Sequence, residues 1–134
     1  MVLLLLHIFA SSNTLYRINP IKMNIENTNA QMRKGLLEFC ILSILSDGEA
    51  YPSDIIEKLK EAKLIVVEGT LYPLLTRLKN FGLLNYRWEE SKSGPPRKYY
   101  RLTGLGAKFL SELDITWQEL QKAVNSTRKK TKNN

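Results

Sequence analysis

Apolar residues recur with the spacing of an amphipathic helix between positions 69 and 82 of the chain. Leucines at positions i, i+3, i+4 and i+7 form one stripe on a 3.6-residue helix, and the stripe here is Leu71, Leu74, Leu75 and Leu78. Pro73 has no amide hydrogen and suits a first turn, so we expect this helix to begin near Gly69 or Thr70 and to end at Gly82. The opposite face carries polar and aromatic residues and no carboxylate: Gly69, Tyr72, Pro73, Thr76, Arg77 and Asn80.

Two further helices are predicted ahead of this one. Residues 35–46 are apolar on nearly all sides, which indicates a helix covered by more than one neighbour and ended by Asp47 and Gly48. Residues 51–62 have one apolar face and a proline, Pro52, at a plausible first helical position. The β-branched link over residues 64–67 is a candidate edge strand.

After Gly82 the apolar period changes from 3.6 to 2. Leu84, Tyr86 and Trp88 alternate with polar residues, residues 91–96 are rich in turn formers, and residues 97–102 alternate again. This pattern predicts a β-hairpin with Tyr100 directed to the core and Tyr99 exposed. Three helices followed by such a hairpin is the order of a winged helix-turn-helix.

A last helix is predicted from Gly104 to about Ser126, with Thr103 as its N-cap. Its apolar residues are spaced 3, 4, 3 and 4 and form a seam that needs a covering surface. That surface is either the helix's own domain or a second copy of the chain, and we favour the second copy because the first helix also carries excess apolar surface. The candidate dimer interface is Leu110, Leu113, Trp117, Leu120 and Val124.

The expected fold is therefore mainly α-helical with a small β-hairpin. We assign residues 32–103 to the winged helix-turn-helix, 104–127 to a dimerisation helix and 128–134 to a basic tail. Residues 1–31 stay unassigned: their apolar run is too short to cross a bilayer and lacks the preceding positive charge of a secretory signal. A poorly ordered extension from an upstream start is the favoured interpretation, with a signal peptide as the alternative.

Charge is segregated along the chain, whose net charge is +7. Residues 35–69 carry three basic and seven acidic side chains, whereas residues 70–103 carry seven basic and two acidic ones. A segregated basic segment of this kind is typical of a surface that binds a polyanion, although a solvated basic surface gives the same count. Double-stranded DNA is the expected partner.

The residues that enzymes and metal sites need are scarce. A single cysteine, Cys40, excludes an internal disulfide, and a single histidine excludes a His/Cys zinc cluster and a nucleophile–histidine pair. We therefore expect no catalysis and no cofactor. We also expect no membrane span, because the N-terminal apolar run is too short to cross a bilayer. The apolar setting of Cys40 predicts a buried, inert thiol in a reducing cytoplasm.

Candidate DNA contacts follow from hydrogen-bonding capacity. Tyr72 and Thr76 are candidates for base edges or phosphates, and Arg77 for a phosphate or a guanine edge, because its guanidinium is a planar two-pronged donor. The alternatives are that Tyr72 packs its ring and that the hairpin lysines are only solvated. The full candidate set is Thr70, Tyr72, Thr76, Arg77, Lys79, Asn80, Lys92, Arg97 and Lys98.

Two blocks of the sequence closely resemble the PadR-like transcriptional regulators. They are Gly69-Thr70-Leu71-Tyr72-Pro73-Leu74-Leu75 with Arg77-Leu78 and Gly82-Leu83, and Gly94-Pro95-Pro96-Arg97-Lys98-Tyr99-Tyr100-Arg101-Leu102-Thr103 with Gly106. The resemblance covers about residues 33–124. It implies a winged-helix DNA-binding domain, a homodimer joined through the C-terminal helix, and repression of nearby genes.

The resemblance also implies an effector. Some relatives respond to phenolic acids or drug-like aromatics, and in the short-form branch a tryptophan of the C-terminal helix lines a ligand pocket, a position that Trp117 matches. Lys79 departs from the pattern, since relatives often carry an acidic residue there, and residues 1–31 match nothing in it.

The sequence thus predicts a homodimeric DNA-binding repressor relieved by a small aromatic ligand. The alternative is a winged-helix protein–protein adaptor without specific DNA binding, because a fold alone does not fix function.

Overall fold

The computed structural model describes residues 24–128 of the 134-residue chain. The elements follow the order α1 (Ile25–Ser46), α2 (Pro52–Glu61), α3 (Glu68–Asn80), β1 (Leu84–Ser91), β2 (Gly94–Leu102) and α4 (Gly104–Arg128). This confirms the expected mainly helical fold with one antiparallel hairpin. Within residues 24–128, none of the helices is both long and apolar enough to span a bilayer.

Helix α1 begins ten residues earlier than the sequence pattern suggested. Its N-cap is Asn24, whose side-chain oxygen accepts a hydrogen bond from the Glu26 amide at 3.0 Å. Residues 25–31, part of the segment expected to be an unassigned extension, are therefore helical. The chain divides into two compact units between Lys34 and Gly35, and the core described next belongs to the second. Residues 1–23 and most of the predicted basic tail lie outside the described part.

The core is built from one face of each of the first three helices and the base of the hairpin. Of the predicted α3 stripe, Leu71, Leu75 and Leu78 are buried and Leu74 is half-buried. Apolar burial of this kind contributes roughly 1.5–3 kcal/mol for each large side chain. The other large buried residues are Leu37, Ile41, Leu42, Leu45, Ile55, Leu59, Leu83, Leu84 and Tyr100.

Helix α3 starts one or two residues before the expected position. Its N-cap is Val67, so Pro73 lies in the second turn of the helix rather than the first. The missing Pro73 amide would have donated to the carbonyl of Gly69, and because Gly69 is exposed, water can satisfy that carbonyl. The C-terminus agrees with expectation: Gly82 has a φ of 76°, and the Leu83 amide returns to the Leu78 carbonyl at 3.0 Å.

Residues 64–67 do not pair as a strand, contrary to the expectation from their β-branched composition. The place beside β2 is taken by Ala50, which exchanges two backbone hydrogen bonds with Tyr100 at 3.0 and 2.9 Å. A β-branched run has no ladder to join once that edge is occupied.

The hairpin has longer strands and a tighter turn than predicted. Leu84 pairs with Leu102, Tyr86 with Tyr100 and Trp88 with Lys98, and a register shift follows Glu89. Only Lys92 and Ser93 form the turn, so both prolines expected in the turn belong to β2. Tyr100 is directed to the core as predicted.

Helix α4 is fixed at its first turn by Thr103. The Thr103 hydroxyl accepts from the Gly106 amide at 2.9 Å, which confirms the predicted N-cap, and donates to the Gly82 carbonyl at 2.6 Å. The Thr103 amide also donates to the Leu83 carbonyl at 3.1 Å. These three bonds attach the start of α4 to the turn that ends α3.

Candidate nucleic-acid interface

The outer face of α3 is exposed along its whole length. All six predicted contacts on this helix, Thr70, Tyr72, Thr76, Arg77, Lys79 and Asn80, are solvent-exposed. They are turned outward because the leucine stripe is turned inward. Residues 72, 73, 76, 77, 80 and 81 line one shallow, open depression of about 710 Å³ on this face.

Arg77 is not an isolated cation on this face. Its guanidinium lies 3.2 Å from Oε1 of Glu38 on α1, and its Cζ lies 5.7 Å from the centre of the Phe81 ring. The Arg77 side chain is 62% exposed, so solvent screens the pair. Glu38 Oε1 is inaccessible to solvent and forms no aligned hydrogen bond, which leaves Arg77 as its compensating charge. The α3 face therefore has a carboxylate beside it, supplied by another helix.

A groove of about 430 Å³ runs between α2, the first turns of α3 and the hairpin. Tyr72 lies in its wall, together with the exposed Arg97 and the half-buried Lys98. Glu68, at the start of α3, also lines it, so the surface joining α3 to the hairpin is not free of carboxylates. The remaining lining residues are Tyr51, Pro52, Ser53, Trp88 and Pro96.

The three predicted hairpin contacts have different settings. Lys92 is exposed in the turn. Arg97 places its Cζ 5.8 Å from the centre of the Tyr51 ring, whereas Lys98 places its ammonium 4.5 Å from the Tyr86 ring and 5.4 Å from the Trp88 ring. Such cation–aromatic contacts restrict where these charges lie.

Arg87 forms ion pairs within its own chain. Its guanidinium contacts carboxylate oxygens of Glu49 and Glu89, each at 3.1 Å, and lies 4.7 Å from the Tyr99 ring. The hydrogen bonds that Arg87 donates to Glu49 raise the pKa of Arg87. Tyr99, expected to be exposed, is half-buried because its ring packs on Tyr51 with centroids 4.5 Å apart.

Tyr51 joins the same cluster through its hydroxyl. Partial desolvation, followed by a hydrogen bond to Glu89, raises the pKa of Tyr51. Cys40, expected to be buried, is half-buried, and its partial burial raises the pKa of its thiol, which disfavours the reactive thiolate.

The predicted α4 seam is covered unevenly. Leu110 and Leu113 pack against the core of their own domain. Trp117 is half-buried, while Leu120 and Val124 remain 50% and 51% exposed. Phe109 and Ile115 add further exposed apolar surface to this helix.

Sequence reasoning missed three residues at this surface: Glu38, Glu68 and Trp88. Glu68 had a usable signal, since it lies one helical turn before Tyr72 and must share its face. The others had none, because Glu38 reaches α3 from another helix and strand alternation alone placed Trp88 on the core-facing side.

The chain is similar to known proteins both in sequence and in structure. Residues 41–112 match the model of the transcriptional regulator PadR-like family. A PadR-like transcription factor from Bacteroides fragilis is 64% identical, over 75% of this chain and 98% of that one, with a TM-score of 0.65. A PadR family regulator from Eggerthella lenta is 32% identical, over 78% and 92% of the two chains, with a TM-score of 0.73. A PadR-like regulator from Bacillus cereus is 38% identical, over 74% and 97%, with a TM-score of 0.66.

Proposed function

This chain belongs to the PadR-like family of transcriptional regulators, and on that premise we propose that it is a homodimeric repressor that binds duplex DNA through α3 and the hairpin. The observation that carries the proposal is the exposed α3 face, with Tyr72, Thr76 and Arg77 lining one depression beside a hairpin that carries Arg97 and Lys98. A helix with such a face fits the major groove, and a flanking hairpin reaches the neighbouring backbone.

Each side chain has a role suited to its chemistry. Tyr72 and Thr76 donate to base edges or phosphates, with Thr70 and Asn80 at the two ends of the same helix. Arg77 keeps its contact with Glu38 and offers its remaining N–H groups to a guanine edge or a phosphate. Lys79 and the hairpin cations, which are Lys92, Arg97 and Lys98, bind phosphates.

The proposed domains follow the same division. Residues 32–103 are the DNA-binding module, residues 104–127 the dimerisation helix and residues 128–134 a basic tail. Residues 1–31, of which 25–31 are the first turns of α1, have no assigned role. The exposed Leu120 and Val124 support a partner helix, because an apolar seam of this length is stable only when covered. A two-fold dimer then places two α3 helices in successive major grooves, about 34 Å apart.

A small aromatic ligand is the proposed effector. Trp117 is half-buried between the covered and exposed parts of the seam, where a planar ligand bound between subunits would stack on it. Binding there shifts the relative orientation of the two α4 helices and relieves repression. The protein acts in the cytoplasm, where its operator is accessible.

The experiment is a gel shift with duplex DNA from upstream of the protein's own gene, titrated with salt and with phenolic acids. We expect a shift whose affinity falls steeply as salt rises, because released counterions drive phosphate binding. Phenolic acids should reverse the shift.

Failure has a clear signature. If the folded protein shifts no duplex from its own upstream region even at low salt, but captures a protein partner with little salt dependence, the adaptor alternative replaces the repressor. An activator would shift the DNA yet raise expression of a reporter, which would contradict repression alone.

A further inference from the structure

Trp88 is an exposed aromatic residue that the proposed contacts do not use. Its side chain is 61% exposed although it lies on the same strand face as Leu84 and Tyr86, which pack into the core. The strand continues past the edge of the core, so Trp88 overhangs the groove between α3 and the hairpin. The fold therefore leaves most of the large apolar surface of this tryptophan exposed to water.

The ring is held in a defined position. Tyr86 meets it edge-on, with ring centroids 6.0 Å apart and planes at 85°, and the Lys98 ammonium lies 5.4 Å from it. Lys98 is also its cross-strand partner. A pre-positioned ring loses little conformational freedom on binding, which is the property that makes aromatic residues frequent anchors at interfaces.

The surroundings of Trp88 identify the occupant. The groove that it lines also contains Tyr72 of the α3 face and the cations Arg97 and Lys98. A duplex seated on α3 would carry its backbone across this groove, so cations and aromatic rings meet alternating phosphates and deoxyriboses. Glu68 lies in the same groove and repels phosphate, which directs the phosphate toward Arg97 and Lys98.

We propose that Trp88 packs against a deoxyribose of the bound duplex, with the adjoining phosphate on Arg97 and Lys98. This inference rests on the proposed DNA-binding function and adds an apolar anchor to an interface otherwise described by hydrogen bonds and charge. Because a sugar carries no base identity, Trp88 contributes to affinity for every sequence equally.

The first test is Trp88→Ala in the otherwise unchanged protein, with Trp88→Phe as the conservative variant. We expect Trp88→Ala to weaken binding to operator and to unrelated duplex alike, by about 10- to 100-fold, with the salt slope unchanged because no charge is lost. Trp88→Phe should recover most of the affinity. An exposed side chain contributes little to folding, so the melting temperature should not change. Wild-type affinity for both duplexes would overturn the proposal.

The second test reads the ring directly. The chain has two tryptophans, so comparing the fluorescence of the wild-type protein with that of Trp88→Phe, whose one indole is Trp117, isolates the signal of Trp88. We expect saturating duplex to protect Trp88 from acrylamide quenching by several-fold. Equal quenching in the free and DNA-bound protein would overturn the proposal while leaving DNA binding intact. If the wild-type protein binds no duplex at all, the proposed function fails first, and with it this inference.

Discussion

Gly106 lies where the first turn of α4 touches the backbone that follows α3. A Cβ built on Gly106 would overlap the Leu83 carbonyl oxygen and would lie 2.8 Å from Cδ1 of Leu102. The backbone of Leu83 cannot move aside easily, because the Leu83 carbonyl accepts a hydrogen bond from the Thr103 amide and the Leu83 amide donates one to the Leu78 carbonyl. Gly106→Ala must therefore either displace α4 or break those bonds.

The expected cost can be worked out from these contacts. Overpacking at a close-packed site costs roughly 1–3 kcal/mol, and weakening one or two hydrogen bonds adds about 1 kcal/mol each. The better helix propensity of alanine returns up to about 1 kcal/mol. The net loss in free energy of unfolding is about 1–4 kcal/mol, which lowers the melting temperature of a domain of this size by about 4 °C or more.

Gly104→Ala is the matched control, because it lies in the same turn and its added Cβ would meet nothing within 4 Å. Thermal unfolding followed by circular dichroism should be measured at equal protein concentrations, since a dimer's stability depends on concentration. If the Gly106→Ala and Gly104→Ala proteins melt within about 2 °C of each other, the close contact at Leu83 does not constrain α4 and the reasoning is wrong.

The remaining predictions concern the DNA face, the seam, alkaline stability and a backbone outlier. Arg77→Ala should weaken operator binding by about 1–3 kcal/mol if Arg77 reads a base, and a uniform loss on all duplexes in anisotropy titrations would assign it to a phosphate. Trp117→Glu should convert the proposed dimer to a monomer in sedimentation, and a persisting dimer would remove Trp117 from the seam. Burial raises the pKa of Tyr100 above its usual value near 10, so its contribution to stability is complete below pH 10 and is lost as pH rises through the higher folded value; urea titrations should show a shallower alkaline loss for Tyr100→Phe. Lys63 has a φ of 64°, so Lys63→Gly should raise the free energy of unfolding by roughly 1 kcal/mol, whereas a loss would show that the lysine side chain matters more than backbone strain.

Local pattern was sufficient for the existence of the four helices and the hairpin and for the inward face of α3, but not for the start of α1 or for residues 64–67. The leucine stripe predicted burial correctly because a period of 3.6 leaves only one face for the core, and Thr103 and Gly82 were identified from chemistry that acts within a few residues. Pro73 was misplaced by a turn because the pattern could not show that the Gly69 carbonyl lies in water.

Contacts between distant segments were beyond the reach of the sequence. The pattern gives no reason for Glu38 to meet Arg77, 39 positions later, or for Ala50 to occupy the edge beside β2. Tyr99 was placed on the outer strand face correctly, but its partner Tyr51 comes from the start of α2, so its partial burial was not predictable. The residues that form the α3 face were therefore predictable from the sequence, whereas the charged residues of other elements that lie beside this face were not.

Thr103 attaches the start of α4 to Gly82 and Leu83, so a small tilt of the helix at this point moves its far end by a larger distance. The helix is 25 residues long, about 37 Å at 1.5 Å per residue, so tilting it by only about 5° at this joint displaces its far end by about 3 Å. In the proposed dimer, that displacement changes the separation of the two α3 helices along the duplex. Substituting the side chains that surround Gly106 would therefore change the operator spacing that the proposed dimer fits, without changing any residue of α3.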